Sequence, residues 1–269
     1  MPLYEFKSNL NQSFSFSDCN IAIERFSSEG QVDYSELSKL DTHHIQSASW
    51  ALVYDGEHSA HRSLVNLLLI SFRIFLDQSP PFIKYRLYKA ENQVIKLSQP
   101  MTYNYSVKKR KISFDGRSLL QVNEGFQHLR KMDMISTRTR NSLYFLYRAF
   151  HAEKWIDSFI LMTCSLESLF SKDAHGGATD AIASRVSSLL GSQVRCTKKD
   201  VENLYDLRSE MTHGRLEVSD DPGENLRHLE HLEFVTIRCF RELARNNAYE
   251  HYRSKLTRDR FMGALNTSQ

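Results

Sequence analysis

Cysteine, proline and glycine are scarce in this sequence, at four, five and ten of 269 residues. Those shortages exclude a collagen-like fibre and a small disulfide scaffold. Cys19, Cys164, Cys196 and Cys239 are far apart, with no C-x-x-C spacing. Cys164 and Cys239 fall inside apolar helical patterns, where a free thiol behaves as a small hydrophobe. All four are read as reduced and structural, which suits a cytosolic protein. Long apolar runs are missing too. The most apolar segment, residues 64–75, is interrupted by Asn66 and Arg73 and is too short to span a bilayer. Residues 1–7 hold neither a basic leader nor an apolar stretch of signal-peptide length. A cytoplasmic protein with no membrane attachment is expected.

Charge of one sign is also lacking. Lys and Arg number 35 against 32 Asp and Glu, a formal charge of +3. Up to residue 134 the balance is 16 basic to 14 acidic, and after it 19 to 18. Neither part is a polybasic module, so strong non-specific attraction to nucleic acid is not expected from the total. With 41% hydrophobic and 25% charged residues, the chain is globular and long enough for one large domain or two ordinary ones.

Residues 1–134 switch between strand and helix periods. Segments 3–6, 14–16, 21–26 and 50–54 are rich in aromatic and β-branched residues, with turn-type residues between them. Residues 63–75 take the helical period, ended by Pro80-Pro81. Segments 83–88, 94–97, 103–107 and 112–114 read as further strands. After residue 134 the strand signals stop. Helices are expected over 141–153, 155–170, 180–190, 198–213, 224–246 and 249–262, with Gly191 and Gly214 as stop signals. The fold class is an α+β N-terminal domain (1–134) followed by an all-α helical bundle (135–269).

One residue breaks the bundle's pattern. The apolar stripe runs 201, 204, 205, 208, 211 and 212, with Arg208 the one charge on it, and an arginine on a core-facing stripe is costly unless paired. Glu167 interrupts the apolar run 166–170 in the same way. Two opposite charges on packed apolar helices invite an Arg208–Glu167 ion pair. By itself that pair reads first as a buried structural device that fixes helix register. His213 stands five residues after Arg208 at the helix end, about 140° around the axis. It is either a solvated capping histidine before Gly214 or a proton carrier poised by the helix dipole.

The stretch Leu204-Tyr205-Asp206-Leu207-Arg208-Ser209-Glu210-Met211-Thr212-His213-Gly214 resembles the signature helix of HEPN domains, with their R-x4-6-H motif in its four-spacer form. Arg-Ser-x-x-x-His-Gly after Leu-Tyr is most similar to the Apea-like HEPN group, as is the upstream Cys164-Ser165-Leu166-Glu167-Ser168-Leu169-Phe170. The resemblance covers about residues 139–246. It implies a HEPN-like bundle and a metal-independent endoribonuclease acting as a homodimer on RNA, without a cofactor, in a prokaryotic defence or stress-response setting. It also implies catalytic roles for Arg208, His213, Glu167 and Ser209. Many ribonuclease members carry Asn, Asp or His directly after the arginine. Ser209 departs from that pattern, since it can bond phosphate but supplies no second titrating group. Other members are non-catalytic binding or dimerisation modules, in which the Arg-Glu pair would be purely structural. The N-terminal domain would then sense a trigger, select a target or restrain the nuclease.

Other clusters carry less. Lys108, Lys109, Arg110 and Lys111 read as a solvated hairpin end or a charged sheet edge, with contact to an RNA backbone as the alternative. Arg253, Lys255, Arg258 and Arg260 read as a solvated helix face. His228 and His231 share a helical face, but no third metal ligand is visible nearby, so no metal is expected. His58, His61, His43 and His44 lie in polar surroundings. Gly176-Gly177 lacks the Lys-Ser/Thr of a phosphate-binding loop.

Overall fold

A computed structural model describes residues 2–4, 7–8, 12–17, 19–26, 39, 42–43, 46, 48–54, 58–76, 82–83, 86–90, 93–97, 113–171, 178–191, 194, 196–217 and 223–267. The N-terminal part contains β1 (Pro2–Tyr4), β2 (Lys7–Ser8), β3 (Phe14–Ser15), β4 (Ile21–Arg25), β5 (Trp50–Tyr54), α1 (His58–Leu76), β6 (Phe82–Ile83), β7 (Arg86–Ala90), β8 (Gln93–Leu97) and β9 (Ser113–Phe114). Then come α2 (Gly116–Ile135), α3 (Thr137–Phe150), α4 (Trp155–Phe170), α5 (Ala178–Leu190), α6 (Lys198–Thr212), α7 (Leu226–Arg245) and α8 (Lys255–Thr267). Short 3-10 turns at Gly223–Asn225 and Ala248–Arg253 precede α7 and α8. The described residues divide into two compact units within α2, between Gln127 and His128.

In the first unit an antiparallel sheet runs in the order β3-β4-β5-β1-β6. Its register places Ile23 opposite Leu52, and all but the rim of that pair's face is buried: Ile21, Ile23, Trp50 and Leu52 are closed to solvent. Period-two alternation fixes this register, because a slip of one residue would expose that whole set. At the open end the Arg25 guanidinium lies 4.5 Å over the Trp50 ring. β2 and β9 form a parallel pair, and β7 and β8 an antiparallel one. The core beside the sheet is aromatic, with Phe72 in edge-on contact with Phe16 and Phe114, and Phe126 with Phe16.

Helix α2 answers to no segment read from the sequence. Polar side chains and Gly125 dilute its pattern, yet Leu119, Val122, Phe126, Leu129 and Met132 form a stripe with no solvent exposure. Gly125 is required by contact: a Cβ there would collide with the Phe75 ring. The expected strand 83–88 is divided into β6 and β7. Segment 103–107 lies outside the described residues.

The second unit is all-helical, with α4 at its centre, packed against α3, α5, α6 and α7. Its apolar circumference explains that position: Trp155, Phe159, Met162, Leu166, Leu169 and Phe170 are all buried. Where α3 crosses α4, two serines replace large side chains. Ser142 and Ser165 each donate to the other's carbonyl at 2.9 Å, with their hydroxyls 3.0 Å apart. Helix α3 begins at 137 rather than 141, because Ser136 caps it through the Thr139 amide. The expected continuous helix 249–262 is broken at Ser254, whose extended backbone and hydroxyl cap the start of α8.

All four C-terminal carbonyls of α4 are occupied. Glu167 O accepts from the Ser171 amide, Ser168 O from Arg138, Leu169 O from the Tyr252 hydroxyl and Phe170 O from Arg185. A helix end normally leaves such groups to water. Here two guanidinium groups also meet the negative end of the helix dipole.

Candidate functional site

The C-terminal turns of α4 and α6 bring the sequence-predicted charges together. Helix α6 opens with a reciprocal capping box, in which the Asp200 amide donates to Thr197 Oγ1 at 3.2 Å and the Thr197 amide to Asp200 Oδ2 at 2.7 Å. It closes at Gly214, which takes φ +68°. The Arg215 amide reaches back to Glu210 O at 2.9 Å and the Gly214 amide to Met211 O at 3.4 Å. Those two bonds are a Schellman motif, which requires the left-handed conformation that glycine tolerates. His213 is thereby fixed as the C-cap residue, immediately outside the helix.

Two tiers join α6 to α4. Tyr205, fully buried, donates its hydroxyl to Thr163 O at 3.3 Å. One turn further on, Arg208 Nη1 meets Glu167 Oε1 at 3.1 Å. The ion pair anticipated from two misplaced charges is present. Its setting differs from the expectation of a core-facing arginine: Arg208 and Glu167 are 32% and 29% exposed, while Leu207 fills the buried place and Thr212 faces solvent. The stripe turns off the core before its last member, so the pair sits at the rim of the interface.

Burial dominates the electrostatics of Glu167. It holds the carboxyl above the ordinary glutamate range, against the opposing pull of Arg208. The neighbouring Cys164 thiol is pushed up, first by burial and then by Glu167. It is therefore a poor nucleophile and a packing group beside the pair. Arg208 Nε is buried with no hydrogen-bond partner, so the guanidinium keeps donor capacity that Glu167 does not use.

His213 is exposed, and among the described residues its ring makes no hydrogen bond. Ser209 is half-buried, and its carbonyl accepts from the His213 amide at 3.0 Å and from Thr212 Oγ1 at 3.3 Å. Lys108, Lys109, Arg110 and Lys111 lie outside the described residues. In the C-terminal basic group, Arg253 pairs with Glu250 and Arg258 with Asp259. His228 is exposed, and His231 lies near enough to Asp200 to favour its carboxylate. Among the described residues no three His, Cys, Asp or Glu side chains are grouped to hold a metal, and no helix is long and apolar enough to cross a membrane.

Sequence reasoning passed over Arg138 and Arg185, and it placed Tyr205 on the apolar stripe without its hydrogen bond. Arg185 carried the same signal as Arg208, an arginine on the apolar stripe of Ile182 and Val186, and it is 5% exposed. Arg138 and Tyr205 act through backbone carbonyls, which leave no mark in the sequence. No family model, curated protein or solved structure matches this chain.

Proposed function

We propose that the chain is a metal-independent endoribonuclease of HEPN type that acts as a homodimer, with its setting in prokaryotic defence or stress response. The observation that carries this reading is the Arg208–Glu167 ion pair, formed on the same final turns of α6 that hold His213 in a Schellman cap. The residue types fit RNA phosphodiester chemistry. The Arg208 fork holds a phosphate and the charge that develops on it, with the Glu167 carboxylate beside it. His213 moves protons near neutral pH. As the 2′-oxygen bonds to phosphorus it loses a proton, and the departing 5′-oxygen gains one, leaving a 2′,3′-cyclic phosphate. Two proton transfers are needed, and a dimer supplies two copies of His213. Ser209 adds a hydroxyl that can bond phosphate, and Lys108, Lys109, Arg110 and Lys111 would track the RNA backbone. The N-terminal unit would sense a trigger or restrain the nuclease.

A non-catalytic HEPN-type binding or dimerisation module is the second reading. It is favoured by one observation, that no described residue hydrogen-bonds the His213 ring to orient it. His213→Ala separates the two, because a nuclease loses RNA cleavage while a binding module is unaffected. Cleavage that survives in folded His213→Ala and Arg208→Ala protein excludes the nuclease. Cleavage that stops on addition of EDTA excludes the metal-free mechanism.

A further inference from the structure

The Arg208–Glu167 contact has the features of an exchangeable pair. It consists of a single Nη1–Oε1 approach at 3.1 Å, and about a third of each side chain is open to solvent. The carboxyl is not at ease there, since burial disfavours its charged form more than Arg208 favours it. The arginine is not saturated either, because Nε has no partner. The neutral Cys164 on α4 and Tyr205 on α6 both feel the pair, in which one charge cancels the other. A rigid structural pair would be expected to use both carboxylate oxygens and more of the guanidinium fork.

Resting on the RNA site proposed above, we infer that Glu167 is a built-in competitor that occupies the phosphate position on Arg208 until an RNA phosphodiester displaces it. Glu167 is then a positioning and selectivity residue, not a catalytic one. Its retained negative charge penalises dianionic ligands, so a phosphodiester monoanion is accepted in preference to inorganic phosphate or a terminal phosphate. Removing that charge turns a neutral local pair into a free cation.

The test measures binding of a short single-stranded RNA with non-cleavable 2′-fluoro sugars, and of inorganic phosphate, to the full chain over a salt series. Wild type is compared with Glu167→Gln, Glu167→Met and Arg208→Ala. The Met variant matches the apolar surroundings of α4 and keeps the test open where a half-buried amide would impair folding. Both Glu167 variants are expected to bind the RNA more tightly, by up to about five-fold, the worth of an exposed ion pair. Inorganic phosphate should gain more than the RNA does. The salt dependence should steepen by about 0.7 in log–log slope for the one added cation. Unchanged or weaker RNA binding in a folded Glu167 variant, with binding still lost in Arg208→Ala, overturns the competitor role and leaves the RNA site standing. Wild type that binds RNA no better than Arg208→Ala overturns the site itself.

Discussion

Arg185 on α5 donates from Nη1 to the carbonyl of Phe170, the last residue of α4, and does so from a position 5% exposed. This bond closes the set that occupies every C-terminal carbonyl of α4, and Glu167 lies within that same turn. The candidate site is therefore mounted on a helix end held from three directions. Arg185→Ala leaves a buried carbonyl without its donor and should destabilise the second unit by about 1–3 kcal/mol. Denaturant titration would measure it, and an unchanged midpoint would show that water replaces the guanidinium.

His213→Ala should behave in the opposite way. The ring is exposed and the cap is made by the backbone, so stability should change by less than about 0.5 kcal/mol. Cleavage of RNA should fall by about 100- to 10,000-fold, the usual worth of a proton-transfer group. Paired melting curves and cleavage assays check both halves.

Glu167 gives a pH signature. Its carboxyl is raised, chiefly by burial, so the folded state holds the proton more tightly than the unfolded chain. The stabilisation is complete below the ordinary value of 4.5 and is lost as pH rises through the folded value. Stability measured by chemical denaturation should thus decline with rising pH just above that range, and Glu167→Gln should flatten the decline. An identical profile in the variant would place the titration elsewhere.

Asp200 has the opposite sign. Hydrogen bonds from the Thr197 backbone and hydroxyl hold its carboxyl below the ordinary value, with His231 adding to the effect. Its contribution to the α6 capping box is present above 3.8 and is lost as pH falls through the lowered value. Asp200→Ala should cost about 1 kcal/mol at neutral pH, and the difference from wild type should vanish in strong acid.

Gly125→Ala tests the first unit. Replacing glycine inside a helix ordinarily gains up to about 1 kcal/mol. At this position the new methyl group meets the Phe75 ring, and overpacking of that kind costs about 1–3 kcal/mol. A net loss of thermal stability is expected, and a gain would show that Phe75 moves aside without cost.

The second unit was far more legible in the sequence than the first. Helix α4 occupies the span its apolar circumference marked out, and Gly191 and Gly214 take the positive φ that their place after helices required. Helical period and caps are local, so they can be read residue by residue. Strand pairing is not local: nothing near Leu3 announces that its partners are Trp50 and Ile83. Helix α2 was missed because its buried stripe is diluted by charge and by Gly125, whose reason is a ring 50 residues away in the chain. At the site, the Arg208–Glu167 pair could be anticipated because charge on an apolar stripe demands compensation. The carbonyl ligands of α4 could not, since backbone acceptors are identical at every residue.

The Ser142–Ser165 exchange bears on how force would pass through the bundle. Each hydroxyl is committed to the opposite helix, so sliding α3 along α4 by a large part of a turn breaks both donations together. The two bonds therefore oppose sliding of α3 along α4 at a point two residues from Glu167. A displacement of α3 along its axis would therefore be felt on α4 within a turn of the carboxylate.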